Sequence, residues 1–408
     1  MIVAGRMVHV DGVRTEQIRI EGRHIVEVGQ ELGPVDRRFP DHCLIFAGMG
    51  DIHIHARDDA GESETHKEDF LTAARAAIHG GVVHVADMPN NPSPPICDAS
   101  YSQKLRHLST RQAPIHITLY AGIGPGTRPL SSPVPYKAYM GPSVGDLFFR
   151  KLADLDETLQ HYRGCCVSFH CEDPELLSAH QAAASHELRR PPECEISATR
   201  FALQMIEKHD LSGKLCHYSV QQGLPLIRQA KSAGLDVTCE VTPHHLFFDD
   251  TQINDDNRGW MQMNPPLRSA ADRGAMLDGL RDGTLDYLAT DHAPHTLAEK
   301  QQGVSGQPHL DTFGPFVSWL IRDQSFRPER IAEICCRNPG RFVNPYTAPR
   351  KFGEIGPGFS AALSVLNLNQ PQTVRREDLK TKCGWSPFEG LEFPGSVEAV
   401  LVDGAWMS

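Results

Sequence analysis

The chain has 408 residues and a formal net charge of -11, from 51 Asp and Glu against 40 Lys and Arg. An acidic balance with no basic run excludes nucleic acid as the main partner, since that binding needs Lys and Arg to neutralise phosphates; no stretch approaches the roughly 18 apolar residues that span a bilayer. The 21 His outnumber the 17 Phe, an excess that directs attention to metal ligands and acid/base groups.

The first residues, Met1-Ile2-Val3-Ala4-Gly5-Arg6, form neither a basic leader nor a long apolar core, and the 11 Cys are odd in number with no C-x-x-C pair. A cytoplasmic protein with reduced thiols is expected. Residues 1–45 read as short strands around Asp11-Gly12 and Glu21-Gly22, which are hairpin signals. Segments 361–366 and 397–402 repeat that style at the other end. Residues 1–45 and 351–408 are therefore expected to combine into one small β-sandwich-like satellite domain.

Between them, residues 46–350 alternate short apolar runs with longer helical ones. Strands are expected at 43–49, 82–88, 116–121, 136–140, 165–171, 214–218, 236–241 and 285–290, with helices at 67–79, 146–162, 197–209, 220–233 and 270–281. About eight strands alternating with helices predict an α/β fold, a parallel (β/α)8 TIM barrel.

Such barrels carry their chemistry on the C-terminal ends of the strands. The first strand closes with Asp51-Ile52-His53-Ile54-His55-Ala56-Arg57. Residues i and i+2 of a strand point the same way, so His53 and His55 share a face, and two imidazoles on one face suit a divalent metal. The fifth strand ends at His170, the sixth at His217, and the eighth runs into Asp291-His292-Ala293-Pro294-His295. The fourth holds Lys137 inside Tyr136-Lys137-Ala138-Tyr139-Met140. Alone, that lysine reads as a charge snorkelling to the surface. Beside the rim histidines a second reading opens: burial favours the neutral amine, which reacts with carbon dioxide to give a carbamate, an anionic two-oxygen ligand able to bridge two metals.

The order H-x-H, Lys, His, His, Asp resembles the amidohydrolase superfamily. Within it, the stretches 51–57, 66–70, 87–91, 137–139, 170–175, 240–245, 264–268, 291–296 and 382–388 resemble the dihydroorotases over nearly the whole length. That resemblance implies two divalent metal ions, usually zinc. His53 and His55 bind the more buried one and His170 and His217 the more exposed one, carboxylated Lys137 bridges them, and Asp291 completes the shell and acts as acid/base toward a shared hydroxide. The implied reaction is the reversible cyclisation of N-carbamoyl-L-aspartate to L-dihydroorotate in de novo pyrimidine biosynthesis. Arg57, Asn90 and His295 are the implied contacts to the substrate carboxylate, and Asn264 to the ring amide. Before the resemblance, a surface pairing of Arg57 with Asp58 or Asp59 is the lesser reading, while Asn90 and Asn264 read equally as turn residues beside prolines.

His244 and His245 close strand seven but are expected to be structural, and His292 to orient its loop. His309 stands where the family usually has a small residue and is expected to narrow the pocket or add a contact. Two alternatives remain: a hydantoinase- or allantoinase-type cyclic amidase, which lacks the counterpart of Arg57, and a non-catalytic subunit associated with aspartate transcarbamoylase. A homodimer or other homo-oligomer is the expected assembly.

Overall fold

A computed structural model describes residues 1–141 and 147–407. Eight parallel strands close a barrel: Met49–Ile54, Val82–Asp87, His116–Leu119 continued by Ala121–Ile123, Tyr136–Tyr139, Cys166–His170, Ser212–Leu215, Val237–Val241 and Tyr287–Leu288. The third strand breaks at Tyr120; its first half pairs with the second strand and its second half with the fourth. The barrel is shut by a parallel bridge between Ile54 and His292, with His55 N–H donating to the His292 carbonyl at 2.8 Å.

Each strand leads into its helix through residues that also cap it. Asp69 caps the helix Phe70–His79 and shares a reciprocal bond with Thr72. Asp173 caps Pro174–Ala179, Thr242 caps Pro243–Phe247 and Thr296 caps Leu297–Gln301 with Glu299 three residues on. A side-chain acceptor at the N-cap satisfies donors that the helix itself leaves open. The short loops that follow strands five, seven and eight are thereby held at both ends, which fixes the side chains they carry. The helix expected over 146–162 runs from Leu152 to Leu159, and the first expected residue, Asp146, lies outside the described residues.

The chain ends form one mixed sheet of eight strands. Its order is Ala405–Trp406, Ser396–Val402, Leu363–Asn367, Cys43–Ala47, Ile2–His9, Gly12–Glu21 and His24–Gly29, with Arg37–Arg38 beside Ile2–His9. Cys43–Ala47, expected to open the barrel, lies instead in this sheet, parallel to Ile2–His9 and antiparallel to Leu363–Asn367. The barrel begins only at Met49, after Gly48, where a Cβ would fall 2.2 Å from Val83 Cγ2. The apolar core runs from the barrel into this sheet, joining Phe46 and Val365 to Ile52 and Val85. Among the described residues no helix is long and apolar enough to cross a membrane.

Candidate active site

One cavity of about 310 Å³ opens at the C-terminal end of the barrel. It is lined by all ten side chains singled out from the sequence: His53, His55, Arg57, Asn90, Lys137, His170, His217, Asn264, Asp291 and His295. They come from the ends of seven strands or the segments after them, and the parallel register sets Lys137 beside Ser168 and Tyr139 beside His170. Backbone strain concentrates here. Of the eight non-glycine residues with left-handed φ among those described, Arg57 (57°), His217 (38°) and Asp291 (48°) belong to this cavity. Non-glycine residues enter that region only when the surroundings over-determine them, as happens at functional sites.

Asp291 Oδ1 lies 3.1 Å from His53 Nε2 and 2.9 Å from His55 Nε2. The far nitrogens are engaged elsewhere: His53 Nδ1 with Glu240 Oε1, and His55 Nδ1 with Asn90 Oδ1 at 2.6 Å. Each ring thus has an acceptor fixing its Nδ1 proton and its Nε2 directed at Asp291, the arrangement typical of metal-bound histidine once Nε2 is free of a proton. The ligand atoms of His53, His55 and Asp291 all lie within 4.8 Å of one another.

His170 Nδ1 faces His217 Nε2 at 2.8 Å, while Glu172 takes the other His170 nitrogen at 2.9 Å. Burial would raise the Glu172 carboxyl, but the Arg190 guanidinium and His170 outweigh it and hold it at about 2. Burial pushes His55 down to about 4, and lowers His170 and, further, His217, so these rings are neutral and can donate lone pairs. Burial also opposes ionisation of Asp291, yet His53 and His55 hold its carboxyl well below the usual carboxylate range. His55, His170 and His217 as neutral imidazoles and Asp291 as an ionised carboxylate are donors that divalent metals take. At His53, by contrast, the Glu240 and Asp291 carboxylates outweigh burial and hold the ring well above the usual histidine range, so a metal there displaces a proton.

Lys137 is fully buried. Its Nζ has Cys216 Sγ at 2.8 Å and lies 5.4 Å above the Tyr139 ring. No carboxylate stands within ion-pair distance of it among the described residues. The surface-snorkelling reading is thereby excluded.

Arg57 is also buried. Nη2 donates to His295 Nε2 at 3.1 Å, while Nε and Nη1 have no hydrogen-bond partner among the described residues. The acids beside it are used elsewhere: Asp58 holds Arg111 and His107, and Asp59 accepts from the backbone of Gly61, Glu62 and Ser93. Asn264 Oδ1 is buried without a donor among the described residues. Burial, then the Arg57 charge, pushes His295 far down, so its Nε2 serves as an acceptor.

His244 and His245 lie outside the cavity lining, bonded to His309 and to Thr242 and the Pro265 carbonyl. His309 does not narrow the pocket: its ring turns away to His244 at 2.9 Å, and its N–H, with that of Leu310, donates to His292 Nδ1. His292 thus ties the loop after strand eight to Glu68.

The residues given no role from the sequence are Tyr139, Glu172, Lys214, Cys216, Glu240 and the loop 304–306. Tyr139 stands two residues after Lys137 and shares its face, so strand parity would have found it; its buried hydroxyl has no partner among the described residues.

A model of the amidohydrolase family matches residues 44–407. The chain belongs to that family. Among curated relatives, this amidohydrolase is 31% identical to the dihydroorotase of Pyrococcus furiosus over 88% of its own length and 80% of that protein's. It is 29% identical to the dihydroorotase of Macrococcus caseolyticus over 99% and 97%. Solved structures share the architecture: the L-hydantoinase of Arthrobacter aurescens superposes with a TM-score of 0.88 at 23% identity, covering 100% of this chain and 95% of that one. The dihydropyrimidinase of Brevibacillus agri gives 0.84 at 20% identity, with the same coverage.

Proposed function

We propose that this amidohydrolase is a dihydroorotase that closes N-carbamoyl-L-aspartate to L-dihydroorotate with loss of water, reversibly, in de novo pyrimidine biosynthesis. The observation that carries the reading is the buried Arg57 guanidinium, held beside His295 with two nitrogens unpaired among the described residues. A buried cation without partners is destabilising, and a substrate carboxylate would remove that cost through a bidentate contact. A hydantoin ring carries no such carboxylate and would leave Arg57 unpaired. The near full-length relatives named dihydroorotase support the same reading.

The donor set suits two divalent metals, zinc in this reading: His53, His55 and Asp291 for one, His170 and His217 for the other, with Lys137 as a shared ligand once carboxylated. When bound, such ions polarise a carbonyl oxygen and bring the pKa of water toward neutrality. Arg57, His295 and Asn90 orient the substrate by its carboxylate. Asn264 Oδ1 accepts the ring N–H. Asp291, ionised in the resting site, takes the proton of the attacking water and returns it to the departing ring nitrogen; cyclisation reverses that transfer. The proposal carries with it a cytoplasmic location and a homo-oligomeric assembly. The non-catalytic alternative, an aspartate transcarbamoylase partner, is disfavoured because every expected ligand is retained around the cavity.

The test is steady-state turnover of dihydroorotate, N-carbamoyl-L-aspartate and hydantoin, with Arg57→Ala alongside. The variant is expected to lose about 100-fold in kcat/KM on dihydroorotate, about 3 kcal/mol of transition-state binding. A wild-type preference for hydantoin, or an Arg57→Ala enzyme unchanged on dihydroorotate, overturns the reading.

A further inference from the structure

Lys300 sits in the short helix Leu297–Gln301 that follows His295 and Thr296. Its side chain is fully buried, and Nζ donates to three main-chain carbonyls: Gln262 at 2.9 Å, Val304 at 2.7 Å and Gly306 at 2.8 Å. No carboxylate lies within ion-pair distance among the described residues, and the Trp385 ring is 5.7 Å away. Three acceptors match the three protons of an ammonium, which has no lone pair to spare. Burial pushes the group down to about 7, and the three carbonyls are the acceptors that face its protons. A methionine could fill the same space without a buried charge, so core packing alone does not account for a lysine here.

What the ammonium holds is a wall of the catalytic cavity. Val304, Ser305 and Gly306 line it together with Asn264 and His295, and Gln262 precedes Asn264 by two residues. Gln262 ties the same loop twice more: its carbonyl accepts from Gly306 N–H at 3.0 Å, and its Nε2 donates to the Gly303 carbonyl and to Ser305 Oγ. The loop is pressed close to the exit of strand eight: a Cβ at Gly306 would fall 2.6 Å from the Ala293 carbonyl oxygen. Without the ammonium, the Val304 and Gly306 carbonyls lose this donor and the Gln262 carbonyl keeps only the Gly306 N–H.

We infer that Lys300 is a positioning residue for substrate binding, its ammonium clamping Val304 and Gly306 to Gln262 so that this wall stands fixed against the substrate ring. The inference rests on the dihydroorotase reading for the identity of the substrate but not for the clamp itself.

Lys300→Met, assayed as the metal-loaded full-length enzyme, is expected to raise KM for dihydroorotate about tenfold with kcat within about twofold and bound metal unchanged. In the same variant, amide exchange of the 302–307 peptide is expected to quicken about tenfold. A purely structural lysine would lower the melting temperature and leave the KM of the folded enzyme where it was, and that outcome overturns the inference, as does unchanged exchange. If Lys300→Met does not fold, Gln262→Ala keeps the ammonium and removes the second tether; it must then show the same KM rise and faster exchange, and an unchanged enzyme overturns the clamp. Failure of the dihydroorotase reading would appear in the wild-type protein as absent dihydroorotate turnover. The exchange comparison and the KM for whichever cyclic amide is turned over would then still decide the role of Lys300.

Discussion

The buried carboxylate of Glu240 accepts from His53 Nδ1 with one oxygen and from Lys214 Nζ with the other. Burial alone would raise it, but His53 and Lys214 keep it far below the usual carboxylate range. Its consequence is chemical: Glu240 fixes the Nδ1 proton of His53, so the Nε2 proton is the one that a metal displaces. Glu240→Gln is expected to weaken metal binding about 10–100-fold, the usual effect of removing such a partner, measured by competition against a chelator; unchanged affinity would remove Glu240 from the site. For Lys137, replacement by Ala is expected to leave fewer than two metals per chain, and added short carboxylic acids to restore part of the activity by supplying the missing bridge. Wild-type activity without Lys137 would refute the carbamate. Glu240 carries the same sequence signal that exposed Lys137, a charge within an apolar strand, here Val237-Thr238-Cys239-Glu240-Val241. Read with equal weight, that signal also marks Lys214. What no single residue could show is that Glu240 and Lys214 neutralise each other while Lys137 has no acid within ion-pair distance among the described residues.

At the scale of elements, the alternation of apolar runs and helical stretches locates seven of the eight barrel strands because each of those runs is short and closed by a polar rim. It failed where apolarity is continuous. Residues 43–49 hold no polar break, so only Gly48 marks the switch from satellite sheet to barrel, and that glycine is required by its closeness to Val83. The helix Asp98–Arg111 escaped notice because only Lys104 of its residues is fully buried, leaving little apolar periodicity to read. The C-terminal segment 382–388 reads as a motif in the sequence, but the task it shares with Thr381 is visible only in the fold. Lys382 Nζ reaches Asp69 Oδ2 and the Thr65 carbonyl, Thr381 Oγ1 donates to Glu68, and the Trp385 indole donates to the His295 carbonyl at 2.7 Å. The segment thus braces the strand-eight exit from outside. Trp385→Phe keeps the ring but loses that bond, and is expected to raise KM for the carboxylate substrate a few-fold with kcat nearly unchanged; an equal fall in kcat would place the indole in the chemical step instead.

Across the whole molecule the histidine excess becomes a statement about acid stability. Away from the proposed ligands, His84, His245 and His309 are buried, and burial holds their pKa values at about 3, 4 and 3, against 6.5 when exposed. The folded protein keeps them neutral while the unfolded chain protonates them, so their contribution is intact above pH 6.5 and is lost as pH falls toward 4 and then 3. At pH 5 each favours the unfolded chain by about 2 kcal/mol, and three such groups together rival the 5–15 kcal/mol by which a typical domain is stable. Loss of bound metal would also destabilise the fold in acid, so a variant far from the cavity is needed to separate the two. His84 serves: it stacks on Phe352 at 4.5 Å, both its ring nitrogens lack partners among the described residues, and it lies outside the cavity lining. His84→Phe preserves a flat ring against Phe352 and removes the titration. The unfolding free energy of the variant, followed by denaturant between pH 7 and 5, should fall less steeply than that of the wild type by about one bound proton at the acid end, with turnover unaltered at pH 7. Parallel slopes for the two proteins would assign the acid sensitivity to the metal ligands alone.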